Sequence, residues 1–294
     1  MRGKVVVITG ATSGIGRVAA EKLVALGARL VLVARDKGRG EETLSRLREL
    51  GPGATHSIHY ADLSRLAEMR RVASEIAAVE PRIDVLINNA GALFASRHVT
   101  EDGLELTFAL NHMAYYVLTE GLRDRLQASA PAHIINTASD AHKGKRLDFD
   151  DLQSAKDYRG FRVYGQTKLC NILYTRELAR RLAGTGVTAN SLHPGFVATR
   201  FGDESGGMLS LGVRLAKYLA ISPEKGAETI VYLASAPEVA NVTGKYFYKC
   251  REATPTKEAQ DDDATKKLWS ATVKLAGIRP VSGDGRAAVQ PAAS

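Results

Sequence analysis

The sequence is short of cysteine, of long apolar runs and of clustered metal ligands, and each shortage removes a class of protein. Cysteine occurs twice, as Cys170 and Cys250, and neither belongs to a C-x-x-C pair. A disulfide framework and a thiolate zinc site are therefore not expected, and a reducing compartment fits. The seven histidines are scattered. His56 and His59 would point to opposite faces of a strand, so no metal is expected. No apolar run reaches the roughly 18 residues that suggest a membrane span. The first strand-like run begins at Lys4, which leaves no room ahead of it for a secretory signal. A cytoplasmic protein without a membrane span is the expectation. Internal repeats, low-complexity blocks and Pro/Gly/Ser-rich linkers are also missing, so nothing marks a second domain.

What is present is ordinary globular composition. The 294 residues are 45% hydrophobic and 24% charged, enough for one large core. Forty Lys and Arg against 32 Asp and Glu give a net charge of +8. That excess reads either as a surface for a polyanionic partner or as a merely basic exterior. Acidic residues are interspersed almost throughout and the densest basic cluster, Lys143 to Arg146, is short. The second reading is favoured, no nucleic acid is expected, and an anionic small cofactor remains compatible.

Short β-rich runs recur at 4–9, 28–34, 55–61, 84–89, 133–139, 187–193 and 245–248. Between them, apolar residues step by three and four over Gly14 to Leu26, Glu41 to Leu50, Leu66 to Val79, Leu104 to Leu126, Arg162 to Leu182 and Pro223 to Leu233. The alternation predicts an α/β fold: one doubly wound domain over 1–278, with a seven-stranded parallel sheet flanked by helices. From Arg251 the chain turns polar, recovers one helix in "ATKKLWSATVKLAGI", and ends in a tail, 279–294, with too few apolar residues to order itself.

Two patterns carry chemistry. "TGATSGIG" (9–16) sits where the first strand hands over to the first helix. Gly10 can make the tight exit turn, Gly14 and Gly16 allow close approach of backbone and helix, and helix-start N–H groups can face a pyrophosphate. A glycine triplet alone is weak; its place between strand and helix makes it a dinucleotide site. "VYGQTKLCN" (163–171) sets Tyr164 and Lys168 four apart on a predicted helix, hence on one face. Alone that pair would more often be surface decoration. Free tyrosine, with a pKa near 10, is a poor base at neutral pH, and a nearby ammonium would favour its ionised form.

The glycine spacing G-x-x-x-G-x-G, with "ADL" (61–63), "NNAG" (88–91) and Y-x-x-x-K, resembles the short-chain dehydrogenase/reductase family, whose fold is the Rossmann sheet. The resemblance implies a catalytic tetrad of Asn111, Ser139, Tyr164 and Lys168. Ser139 would hold the substrate oxygen, Asn111 would support a proton relay, and Lys168 would also bond the nicotinamide ribose. It further implies cofactor contacts from Gly10, Thr12, Ser13, Gly14, Ile15 and Gly16, from Asp62 and Leu63 at the adenine, and from Asn89, Ala90 and Gly91 beside the sheet. "HPGFVATRF" (193–201) would add Pro194, Gly195, Val197 and Thr199 at the nicotinamide. The 24 residues between Ser139 and Tyr164, more than many members carry, and the segment after Tyr164 resemble the retinol-dehydrogenase-like branch. Members of that branch in animals often carry an N-terminal membrane anchor, and the usual serine before the lysine is here Thr167, so retinoid activity itself does not carry over.

The second strand ends "LVLVARD", which puts Arg35 where an NAD site presents a carboxylate to the ribose 2′-hydroxyl, and NADP(H) is expected. Asp36 complicates this and should be aimed elsewhere. Residues 196–222 join a glycine-containing hinge to an apolar helix-like stretch, either a substrate lid or a plain surface helix. The implied function is hydride transfer between NADP(H) and a small-molecule alcohol or carbonyl, a lipophilic ketone or aldehyde. The rival is a cofactor-binding regulatory or scaffold protein without turnover, against which stands the unsubstituted tetrad. Homo-oligomerisation is left open.

Overall fold

A computed structural model of the chain describes residues 1–195 and 222–277. In chain order the elements are β1 (Val5–Thr9), α1 (Gly14–Ala25), β2 (Arg29–Ala34), α2 (Lys37–Leu50), β3 (Ser57–Tyr60), α3 (Leu66–Val79), β4 (Val85–Asn88) and α4 (Leu106–Phe108). A π-helical turn (Ala109–Met113) joins α4 to α5 (Ala114–Ala128). There follow β5 (Ala132–Thr137), α6 (Gly160–Arg181), β6 (Val187–His193), α7 (Pro223–Ser235), β7 (Tyr246–Tyr248), β8 (Arg251–Ala253) and α8 (Asp262–Ala276). The expected lid over 196–222 falls, apart from Ser222, outside the described residues, as do Val197, Thr199 and the expected tail.

The strands lie in the order β3-β2-β1-β4-β5-β6-β7-β8. The first seven are parallel, as the alternating pattern predicts, and the central strands β1, β2 and β4 are largely apolar runs because helices cover both faces of the sheet. Register sorts the side chains. Val7, Val31, Val33, Leu86 and Ile134 face α3, α5, α6 and α8, whereas Val6, Ile8, Leu30, Leu32, Val85 and Ile87 face α1, α2 and α7. Burying one such side chain contributes about 1.5–3 kcal/mol, so both faces resist a slip in register.

The sheet has eight strands and not seven. β8 returns antiparallel to β7 through Lys249 and Cys250, both with positive φ, 50° and 57°. Two central residues of positive φ make a tight turn whose twist suits a hairpin, but its usual signal is Asn-Gly, and Lys-Cys does not announce it.

The chain winds from β1 outward through β2 to β3, then crosses back to β4 and winds the other way, so strand order reverses between β1 and β4. The crevice at their carboxyl ends is where doubly wound sheets receive ligands. Thr9 pins its rim: its hydroxyl accepts from the N–H groups of Asn89 and Ala90 at 2.9 Å each. The Asn89 amide in return donates to the carbonyls of Thr9 and Gly10.

Candidate active site

A cleft of about 1150 Å³ runs along the carboxyl edge of the sheet. It gathers Gly10, Thr12, Ser13, Gly14, Ile15, Gly16, Arg35, Asp62, Leu63, Asn89, Ala90, Gly91, Ser139, Tyr164, Lys168, Pro194 and Gly195. Nearly all the expected site residues are thus brought to one cavity. Asn111 stands just behind its wall.

At one end, the glycine-rich turn fits a dinucleotide. Gly10 and Gly14 have positive φ, 68° and 53°, which a side chain rarely tolerates. A Cβ on Gly16 would collide with the Gly10 carbonyl oxygen, so helix and turn can close only because Gly16 has none. Ser13 at the N-cap of α1 makes no side-chain cap, while α2, α7 and α8 are capped by Asp36, Ser222 and Asp261. The first N–H groups of α1 are therefore left facing the cleft, with the positive end of the helix dipole behind them, which suits a pyrophosphate.

The neighbouring end of β2 answers the ambiguity over Asp36. Its Oδ1 accepts from the Arg39 N–H at 2.8 Å, capping α2, and its Oδ2 accepts from the Arg39 guanidinium at 3.4 Å. These bonds, the backbone one first, hold its pKa below the usual carboxylate value. Arg35 is the β2-end side chain exposed in the cleft beside it. Further along, Asp62 accepts from the Ser64 N–H and hydroxyl at 3.0 and 2.7 Å, which fixes its carboxylate.

At the other end, Tyr164 and Lys168 project from α6 on one face, as their spacing requires. Tyr164 is 8% exposed and hydrogen-bonded to the Ser139 side chain. Burial pushes its pKa well up, with the Ser139 bond opposing. The Lys168 ammonium lies 5.5 Å from the Tyr164 ring centre and 5.7 Å from that of Tyr115. Burial pushes this lysine down to about 7. With burial as the leading influence, Tyr164 stands as a phenol, a proton donor, and a lysine ammonium beside it would act in the opposite direction.

The surroundings place these groups. Lys168 Nζ and the Asn171 amide donate to the Thr137 carbonyl at 3.0 and 3.2 Å, and the Tyr115 hydroxyl reaches the same oxygen at 3.4 Å. Asn111 sits in the π-helical turn, a feature that often marks a functional site. Its amide exchanges 2.9 Å bonds with the backbone of Ala92 and donates to the Thr167 hydroxyl at 3.1 Å. Asn111 thus links the loop after β4 to α6, and Thr167 has a definite task there. A Cβ on Gly91 would come 3.1 Å from Asn111 and 3.4 Å from Lys168.

Sequence reasoning missed several of these partners. His142 bonds the Ser139 carbonyl at 2.7 Å through Nδ1 and accepts from the Thr256 N–H at 3.4 Å, which makes Nδ1 the protonated nitrogen. His193 accepts from the N–H groups of Asp140 and Gly195 through Nδ1, and stacks on Tyr248 at 4.9 Å. Burial takes His193 down to about 4, so it is a neutral brace between β6 and the Ser139 loop. These pairings join residues far apart in the chain and leave no local pattern. Among the described residues no cluster of His, Cys, Asp or Glu could hold a metal, and no helix is long and apolar enough to cross a membrane.

Residues 4–210 match the family profile described as short chain dehydrogenase. Human retinol dehydrogenase 14 is 41% identical over 296 residues, spanning 95% of this chain and 88% of its own. A solved Mycobacterium paratuberculosis protein described as uncharacterized superposes with a TM-score of 0.75 at 27% identity, covering 94% of each chain. The Pseudomonas aeruginosa RhlG/NADP active-site complex does so with a TM-score of 0.67 at 27% identity, over 84% of this chain and 94% of that one.

Proposed function

The chain belongs to the short-chain dehydrogenase family, in its retinol-dehydrogenase-like branch, and from that premise we propose an NADP(H)-dependent oxidoreductase interconverting an alcohol and a lipophilic ketone or aldehyde. The observation that carries the reading is the buried Tyr164 phenol, bonded to Ser139, above Lys168, in the cleft that the uncapped start of α1 enters. In the reductive direction the substrate oxygen lies against Ser139 and Tyr164, and Tyr164 releases its proton as charge builds on that oxygen. Lys168 stabilises the phenolate left behind. Asn111, with its side chain spent on Ala92 and Thr167, keeps the loop and α6 in place. Hydride donation to carbon is the chemistry that the nicotinamide supplies when bound.

Arg35 at the ribose end favours a 2′-phosphate, and a solved relative of like fold is described as an NADP complex. Beyond Tyr164 the wall is apolar, with Leu93, Phe94, Leu106, Leu110 and Phe161, which suits a lipophilic substrate. A panel of ketones, aldehydes and quinones with NADPH and NADH tests the reading. NADPH oxidation should be fastest with lipophilic aromatic or long-chain carbonyls; binding of NADPH without turnover across the panel would establish the silent scaffold instead.

Lys168 supplies a second check. Near its lowered value of about 7 it is partly neutral, and new acceptors from the cofactor's ribose would draw a proton onto it. NADPH binding should then take up protons at neutral pH, and its affinity should weaken as pH rises through 7. Calorimetry in buffers of different ionisation enthalpy measures the uptake. It should vanish in Lys168→Met; uptake unchanged in that variant would assign it to another group.

A further inference from the structure

We infer that Lys145 selects substrates bearing a carboxylate, so that the preferred carbonyl compound is an amphiphile with an apolar body and an acid group. The inference rests on the carbonyl-reductase reading above and narrows its substrate class.

Three lysines line the cleft near Tyr164. Lys168 is committed to the Thr137 carbonyl, and Lys143 to Asp140 at 2.8 Å. Lys145 has no acidic partner among the described residues. Neighbouring cations outside the cleft do have partners, Arg146 with Glu258 and Arg162 with Asp157. The Lys145 stem is packed on Gly165, the residue next to Tyr164: a Cβ built there would lie 2.7 Å from Cε and 3.0 Å from Cγ. Its ammonium stands 5.9 Å above the centre of the Phe161 ring.

The side chain is therefore laid along α6 and half-buried, with its charge at the cleft and no anion among the described residues paired with it. Phe161, the ring beneath it, is 55% exposed and gives the cavity mouth an apolar surface. Phe161 and Tyr164 are three apart on α6 and share a face, so cation, apolar surface and proton donor border one opening. An apolar chain along Phe161 and Phe94 would carry an acid group to the ammonium while its carbonyl reaches Tyr164. With the neighbouring Arg162 guanidinium turned to Asp157, Lys145 offers a single point charge and no bidentate fork, which matches the single charge of a carboxylate.

The test is a series of ω-oxo carboxylic acids of increasing length and their methyl esters, compared by kcat/KM with NADPH. At the best length the acid should exceed its ester about five- to tenfold, chiefly through KM, between the scale of an exposed ion pair and that of a charge-assisted hydrogen bond. Lys145→Gln should bring the acid-to-ester ratio near one, and Lys145→Arg should keep it. Equal turnover of acid and ester by the unmodified protein, or a preference surviving Lys145→Gln, overturns the inference and leaves carbonyl reduction standing. If no acid or ester is reduced although NADPH binds, the activity itself is refuted and the inference falls with it.

Discussion

Tyr164→Phe should bind NADPH as the unmodified protein does and turn over about a hundredfold or more slowly, the usual scale for a lost general acid/base. The substitution keeps the ring, which fills its place on α6, and removes only the hydroxyl that bonds Ser139. Lys168 keeps its bond to Thr137, so the cofactor end of the cleft loses nothing. The defect should fall on kcat. Because burial holds the phenol protonated far above neutral pH, the unmodified protein should not lose its proton donor for reduction anywhere in the neutral range. Fluorescence titration of NADPH and steady-state rates measure the two halves. Normal turnover by the variant would remove Tyr164 from the chemistry; lost cofactor binding would make its role structural.

The sheet was legible because both its faces are buried. Continuous apolar runs such as "KVVVIT" and "ARLVLVA" are what a two-sided parallel strand requires, and β1 and β2 lie within them. Leu66 to Val79 reads as a helix from its apolar steps, and α3 has those bounds. The first turn of α2, Lys37 to Gly40, carries two glycines and two cations and gives no such step. Its sign was the cap, Asp36, whose bond to the Arg39 N–H starts the helix. The π-helical turn at Asn111 has no sequence marker, since one extra residue per turn does not alter which residues are apolar.

The site was legible differently. Tyr164 and Lys168 drew attention through four-residue spacing, but resemblance to a family, not spacing, joined them to Ser139 and Asn111. The anchor of Lys168 is a backbone carbonyl, that of Thr137, and every residue has one, so no sequence pattern could name it. The protonation of Tyr164 could not be read from the sequence for a related reason. Spacing shows that an ammonium is near, while the depth of burial, which here decides the balance, belongs to the packed structure.

Arg35→Ala should weaken NADPH binding by about 1.5–3 kcal/mol, the scale of a hydrogen bond to a charged group, or roughly ten- to 150-fold in Kd, and leave NADH almost unaffected. The asymmetry follows from where charge is available at the end of β2. An NAD-preferring site holds a carboxylate there for the ribose 2′-hydroxyl, and the same carboxylate repels a 2′-phosphate. Here the carboxylate in the neighbourhood, Asp36, serves as the cap of α2 and accepts from the Arg39 guanidinium, and Arg35 lines the cleft as an exposed side chain. Its guanidinium can meet phosphate oxygens with paired N–H donors, a geometry that Lys37 on its flexible stem does not offer. Arg39 also lines the cleft, but its bonds to Asp36 reduce the charge it presents, so it should not replace Arg35. Since exposed charges are screened, the penalty for NADPH should shrink as salt is raised, while NADH binding, lacking the 2′-phosphate, should respond far less. Dissociation constants for both coenzymes, with and without the substitution and at two ionic strengths, measure this; equal or tighter binding of NADH by the unmodified protein would end the NADP assignment.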